Sequence, residues 1–284
     1  MTLAMFILLC LIWGSTWAAI RLGLTDAPPL YSAAFRFILA DFILAGIAMA
    51  RRERFPENWK VTLKIAYPGV YMFGAGYALV YFAENLIPSG LTSVLFATYP
   101  FFVAFLSSRM LPEERLTGRL WIGLAIGFAG ILVISLDSLS LSGNLFLGTL
   151  LGVAAPLASA YGLLLYKRQF THESLLPVLV IQMLAGGIPL LLTAMAFERL
   201  AAFQFSAASI GSILYLAVPG TVVTFLGYFW LLRHMRVTDA SLIAFITPVV
   251  AILVGAMLFS EPLRLMTLIG SGLILGGVWL VGRR

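Results

Sequence analysis

Long apolar runs separated by short polar punctuation recur along the whole chain. Ten can be counted, at residues 3–21, 30–50, 62–84, 90–110, 119–136, 147–167, 175–197, 209–232, 238–258 and 265–281. Each approaches the roughly 20 residues with which a helix crosses a hydrocarbon core about 30 Å thick. The pattern predicts an all-α integral membrane protein with ten transmembrane helices. Only Asn85 to Ser89 separate the third and fourth runs, where Pro88 interrupts the helix and makes two spans of what would otherwise be one. The first run has neither a basic leader nor a small-residue cleavage site, so it reads as a retained helix.

Composition narrows the picture to a lipid environment. Of 284 residues, 61% are hydrophobic and 11% charged, a balance that keeps no water-soluble domain of this length in solution. The lipid bilayer is therefore the first partner. Fourteen of the 18 basic residues fall in alternate loops: Arg51, Arg52, Arg54, Lys60 and Lys64; Arg109, Arg115 and Arg119; Lys167 and Arg168; Arg233 and Arg236; and Arg283 with Arg284. Basic residues stay on the cytoplasmic side, so both termini are expected there, with the chain a multi-pass protein of a bacterial inner membrane. The net charge of +6 follows from this bias and gives no support to nucleic-acid binding.

The chain also resembles itself. Ser93 and Pro100, seven residues apart, recur as Ser241 and Pro248. Glu114 precedes Ile122, Gly123 and Gly130 much as Glu261 precedes Ile269, Gly270 and Gly277, with one residue of slippage, and Tyr81-Phe82 answers to Tyr228-Phe229. The expected halves are residues 1–143 and 144–284, five helices each. An odd number of crossings turns the second copy upside down, giving two inverted five-helix repeats around a central cavity. Such pairs suit alternating access, because two near-equivalent halves can exchange conformations about a midplane site. Glycines on the last helix of each half suit close packing, either within the scaffold or in a homodimer through those helices.

Candidate chemistry is sparse. Trp13 and Trp17 share one face of the first helix, and Tyr77 and Tyr81 one face of the third. With Tyr99 and Tyr161 they let four helices offer rings with polar tips to a cavity; interfacial anchoring is the alternative for each. Ser93 and Ser241 are candidate cavity hydroxyls, although most such groups bond back to their own helix. Pro100 and Pro248 are expected helix breaks, freeing carbonyls for substrate or acting as hinges. Arg36 either binds a substrate carboxylate or holds a neighbouring helix, and its offset from Asp41 places the two roughly 140° apart around the axis. Asp41 and Glu84 are candidates for proton coupling.

Several chemistries lack their residues. His172 and His234, both expected in loops, have no metal-spaced companions, so no metal site is expected. No glycine-rich phosphate loop and no His, Asp or Cys cluster points to a cofactor or an enzyme. Cys10 is the single cysteine and forms no intrachain disulfide.

Trp13-Gly14-Ser15-Thr16-Trp17, Arg36-Phe37-Ile38-Leu39-Ala40 and the doubled block of proline helix, acidic loop and glycine helix resemble the drug/metabolite transporter superfamily, within it the EamA-type ten-helix exporters. The resemblance covers essentially the whole chain and looks most like the aromatic amino-acid exporter branch. It implies a basket in which the first four helices of each half line a cavity and the fifth stands outside. It also implies a secondary transporter exporting amino acids, aromatic and other neutral hydrophobic ones, and similar small metabolites. Efflux of lipophilic cations is the alternative, since aromatic faces attract them. A sugar-phosphate or nucleotide-sugar carrier would want clustered basic residues at membrane depth, where only Arg36 is found.

Overall fold

The computed structural model describes residues 2–111, 118–139, 143–259 and 265–282, and every regular element within them is helical. The acidic loops around Glu114 and Glu261, and the basic residues Arg115, Arg264, Arg283 and Arg284, lie outside the described residues. The crossings run in order as α1 (Thr2–Gly23), α2 (Pro29–Ala50), α3 (Trp59–Gly69) with α4 (Gly76–Leu86), α5 (Ser89–Phe96) with α6 (Tyr99–Met110), and α7 (Gly118–Leu139). They continue as α8 (Gly143–Gln169), α9 (Leu175–Phe197), α10 (Ala207–Ala217) with α11 (Thr224–His234), α12 (Val237–Ser241) with α13 (Ile243–Phe259), and α14 (Leu265–Gly282). Eight of these crossings are long and apolar enough to span a bilayer, and α7 and α14 add two shorter apolar stretches. The outer surface is apolar, as a lipid solvent requires: Phe42, Phe197 and Met257 are 72%, 83% and 82% exposed.

Helix ends are fixed by local chemistry. Pro29 opens α2, where its missing N–H costs nothing, and the next two donors, Leu30 N and Tyr31 N, reach the Glu198 carboxylate at 2.9 and 3.0 Å. Glu198 caps the C-terminus of α9, so this contact makes α9 antiparallel to α2. At its other end α2 closes with Arg52 at φ 55, while Arg52 N and Glu53 N donate to Met49 O and Ala48 O, each at 3.0 Å. These are the two bonds of a Schellman closure, built here without glycine.

Two crossings carry a widened turn. The third is divided as eleven α-helical residues, six π-helical residues (Val70–Ala75) and eleven α-helical residues. The eighth is divided in the same way, eleven, six (Val218–Val223) and eleven. Each extra residue in a π turn shifts the register of all that follows and loosens the carbonyls of that turn.

The expected helix breaks need correction. Pro100 is the second residue of α6, and the break lies before it, at Ala97 and Thr98. Pro248 breaks nothing: α13 runs through it, and the interruption of the ninth crossing falls at Leu242. The carbonyl that Pro248 deprives of a donor, Ala244 O, accepts from Thr247 Oγ1 at 3.2 Å, so it is not free for a ligand. His234, expected in a loop, is the last residue of α11 and stacks on Trp230 at 4.1 Å.

Without a hydrophobic force between helices, close approach comes from small residues. The glycine faces of α7 and α14 meet each other inside one chain. A Cβ on Gly130 would fall 2.6 Å from Gly270 O, and one on Gly277 2.5 Å from Gly123 O. The pair stands outside the central bundle, where α1 packs on α13, α10 and α11, and α2 on α9, α10 and α4.

Candidate functional site: a central aromatic cavity around Arg36

The cavity lies where seven crossings converge and holds about 740 Å³ of space outside atoms, its mouth included. Crossing one supplies Trp13, Thr16, Trp17 and Ile20; crossing two, Arg36; crossing three, Met72, Tyr77 and Val80. Phe96 and Tyr99 come from the fourth, Ser159 from the sixth, Phe225 and Tyr228 from the eighth, and Ser241 and Thr247 among others from the ninth. Among the described residues neither α7 nor α14 contributes, in keeping with a fifth helix outside the basket, and α9 contributes none either.

The walls are aromatic and interlocked. Trp13 meets Tyr228 at 5.1 Å and Phe225 at 5.5 Å edge to face, and Phe96 stacks on Tyr99 at 5.6 Å. Edge-to-face packing fixes each ring against rotation, so the lining is shaped in advance of any ligand.

Arg36 is the one guanidinium in this wall, and it is 1% exposed. Its Nε donates to Thr221 Oγ1 at 2.8 Å and its Nη2 to Gly220 O at 2.9 Å, both in the π turn of the eighth crossing. Thr221 in turn donates to Leu216 O, five residues back, at 2.7 Å. The widened turn thus turns a carbonyl and a hydroxyl outward from the helix, and the guanidinium closes on both. A Cβ on Gly220 would fall 2.9 Å from Thr16 Cγ2, so glycine is what lets α1 come this close to the turn. The remaining nitrogen, Nη1, is buried without a hydrogen-bond partner. The guanidinium carbon lies 4.8 Å from the Tyr77 ring centroid, and its charge reaches the Tyr77 and Tyr81 hydroxyls. Trp13 and Ser159 also line the cavity; Trp13 Nε1 and Ser159 Oγ have no protein partner, and a Cβ on Gly76 of α4 would fall 2.3 Å from Ser159 Oγ.

Of the residues singled out from sequence, Trp13, Trp17, Arg36, Tyr77, Tyr99 and Ser241 meet at this cavity. Tyr81 is buried one turn beyond Tyr77 and outside the lining. Tyr161 faces away and packs on Tyr71 at 5.0 Å. Ser93 is fully buried, with its hydroxyl spent on Gly90 O at 2.7 Å, and the Ser241 hydroxyl likewise donates to Thr238 O at 2.7 Å. Pro100 and Pro248 each follow a lining residue without lining the cavity themselves. Asp41 and Glu84 are buried elsewhere, and the Glu84 carbonyl accepts from Arg21 Nη1 at 3.0 Å. Among the described residues no group of three His, Cys, Asp or Glu side chains is placed to hold a metal.

Ser159 is legible from sequence as a hydroxyl at membrane depth, whereas Phe225, Tyr228 and Phe96 had not been expected as wall residues. Their only signals were the Phe225, Tyr228 and Phe229 spacing and the Pro219-Gly220 pair that marks the nearby turn.

Comparison with known proteins places this geometry in a family. A solved crystal structure covers 100% of this chain and 98% of its own with a TM-score of 0.76 at 18% identity, which fixes the fold. The uncharacterized inner membrane transporter YedA of Escherichia coli K12 is 32% identical over 275 residues, 96% of this chain and 88% of that protein. A probable amino-acid metabolite efflux pump of the same organism is 28% identical over 283 residues, covering 96% and 92%. The model of the EamA-like transporter family matches residues 1–136 and again 146–283. The chain therefore belongs to the EamA-like transporter family of the drug/metabolite transporter superfamily, a family of membrane transporters.

Proposed function

We propose that the protein exports amino acids, aromatic and other neutral hydrophobic ones, and similar small metabolites across a bacterial inner membrane by alternating access. The observation that carries this reading is Arg36, a buried guanidinium in the wall of an aromatic cavity whose Nη1 has no hydrogen-bond partner among the described residues. A carboxylate would complete the guanidinium, which already spends its other edge on the protein. An apolar side chain would then lie against Trp13, Phe225 and Phe96. The naming of one relative as a probable amino-acid metabolite efflux pump supports the same substrate class.

Two inverted halves, residues 1–143 and 144–284, would supply the alternation, with both termini in the cytoplasm. The equal partition of the third and eighth crossings supports the repeat, as does the double family match. Arg36 itself argues against lipophilic cations, which a buried guanidinium repels. A single guanidinium likewise suits a monoanionic carboxylate better than a sugar phosphate or nucleotide sugar.

Vesicles reconstituted with the protein and preloaded with labelled phenylalanine or threonine test the reading. Release faster than from protein-free vesicles is the expected result. No accelerated release of any amino acid would end it.

A further inference from the structure

Away from the cavity, the bundle buries a second polar cluster that substrate recognition does not use. Asp41 is 5% exposed with Oδ1 unpartnered, and Gln182 on α9 is fully buried with both ends of its amide unpartnered. Three helices bring them to one level. Phe37 of α2 meets Phe73 of the third crossing at 5.6 Å, and Cβ atoms on Gly186 and Gly187 would fall 2.5 Å from Phe73 Cβ and 3.4 Å from Phe37 Cβ. One helical turn along each strand of this contact stand Asp41, Gly69 and Gln182, with α2 running opposite to the other two. A Cβ on Gly69 would lie 2.2 Å from Gln182 O, so α3 and α9 touch backbone to backbone there.

No cation answers Asp41 among the described residues. Arg36, on the same helix, faces the cavity and is bound to Gly220 and Thr221. Among the described residues the packed elements add Tyr215 from α10, Tyr77, Tyr81 and Glu84 from α4, and Tyr71 of the π turn 70–75, which bonds to Tyr67 of α3 and packs on Tyr161; α9 and the π turn 218–223 add nothing ionisable. Tyr77 sits at the Phe37 level, 4.6 Å away ring to ring, and Tyr81 and Glu84 continue away from Asp41. The basic residues of α3, Lys60 and Lys64, are exposed. A carboxylate here carries its charge at a desolvation cost, and a proton removes that cost. Gln182 suits both states: its carbonyl accepts from a protonated carboxyl and its amide N–H₂ donates to a charged one.

We infer that Asp41, with Gln182 at its level, forms a proton-binding site within the membrane, separate from the substrate cavity. It takes one proton from water and returns it to water, with no other bond made or broken. Its role in driving transport rests on the export reading, through α2, which carries both Asp41 and Arg36; the proton site itself does not rest on it.

Infrared difference spectra of the full chain in lipid vesicles, recorded between about pH 5 and about pH 9, test the site without any substrate. The expected result is a protonated-carboxyl band that disappears in Asp41→Asn and moves in Gln182→Leu. Should Asp41→Asn fail to fold, the band shift in Gln182→Leu carries the test. The same carboxyl bands in Asp41→Asn as in the natural chain, or a band unmoved in Gln182→Leu, would overturn the paired site. In vesicles with an entrapped pH dye, a phenylalanine gradient should move internal pH in the natural chain and at least about tenfold less in Asp41→Asn, whose equal response would overturn the coupling role. Absence of all phenylalanine movement would instead count against the export reading, with the infrared result standing apart.

Discussion

Arg36 and Thr221, 185 residues apart in sequence, are joined by a 2.8 Å hydrogen bond that ties the second crossing to the π turn of the eighth. The bond leaves Nη1 without a hydrogen-bond partner, so a residue that anchors two helices and lines the aromatic cavity keeps one donor unspent. Helix support is thus met by Nε and Nη2, and the proposed substrate contact falls to Nη1 of the same fork.

Thr221→Val removes the acceptor of Arg36 Nε and leaves a buried cationic donor unpaired. A loss of about 1–3 kcal/mol in stability is expected, read as a lower thermal midpoint in detergent. Thr221→Ser keeps the hydroxyl and should stay near the natural chain; equal loss in both variants would mean the bond contributes nothing.

Ser159→Ala separates ligand contact from packing. The Ser159 hydroxyl is buried in the cavity wall with no protein partner, so its removal should leave stability within about 0.5 kcal/mol while slowing amino-acid efflux. A fall in stability with unchanged efflux would remove it from the site.

Two neighbouring glycines should behave oppositely. Gly277→Ala drives a methyl against Gly123 O at 2.5 Å and a backbone cannot yield locally, so the α7 and α14 pair should loosen and the thermal midpoint fall. Gly276→Ala meets nothing within 4 Å and should change little. Similar effects from both would show that the two helices are not packed through this face.

Arg52→Gly should stabilise the end of α2. Arg52 holds φ 55, a conformation that costs a side-chain-bearing residue about 1 kcal/mol and glycine almost nothing. Arg52→Val should lower stability, and an increase with valine would contradict the Schellman assignment.

The ten spans were legible because a bilayer imposes one length and one polarity on each, so hydropathy alone places them within a few residues. Pro88 marked a true boundary: it is the N-cap of α5, and Ile87 before it is extended, as a residue preceding proline favours. Pro248 misled because Thr247 replaces the missing donor and the helix continues. The two π turns left no trace in the pattern: one inserted residue rotates the faces of a helix that is apolar on every side. In the eighth crossing that rotation bears on which rings reach the cavity, Phe225 and Tyr228 among them, while Tyr161 on the unbroken α8, legible as a ring with a polar tip, packs on Tyr71 instead. Arg36 was legible as rare and costly at depth; its partners, 184 and 185 residues away, were not.

Equilibrium binding of labelled phenylalanine to the purified protein, in competition with unlabelled phenylalanine and with phenylalaninamide, tests the central claim most directly. The amide keeps the ring and the ammonium and replaces the carboxylate that the proposal assigns to Arg36 Nη1. Losing a charge-assisted bond of about 1.5–3 kcal/mol predicts that the amide competes about ten- to a hundredfold more weakly, and that Arg36→Gln abolishes this difference. Equal competition by acid and amide in the natural chain would contradict the account.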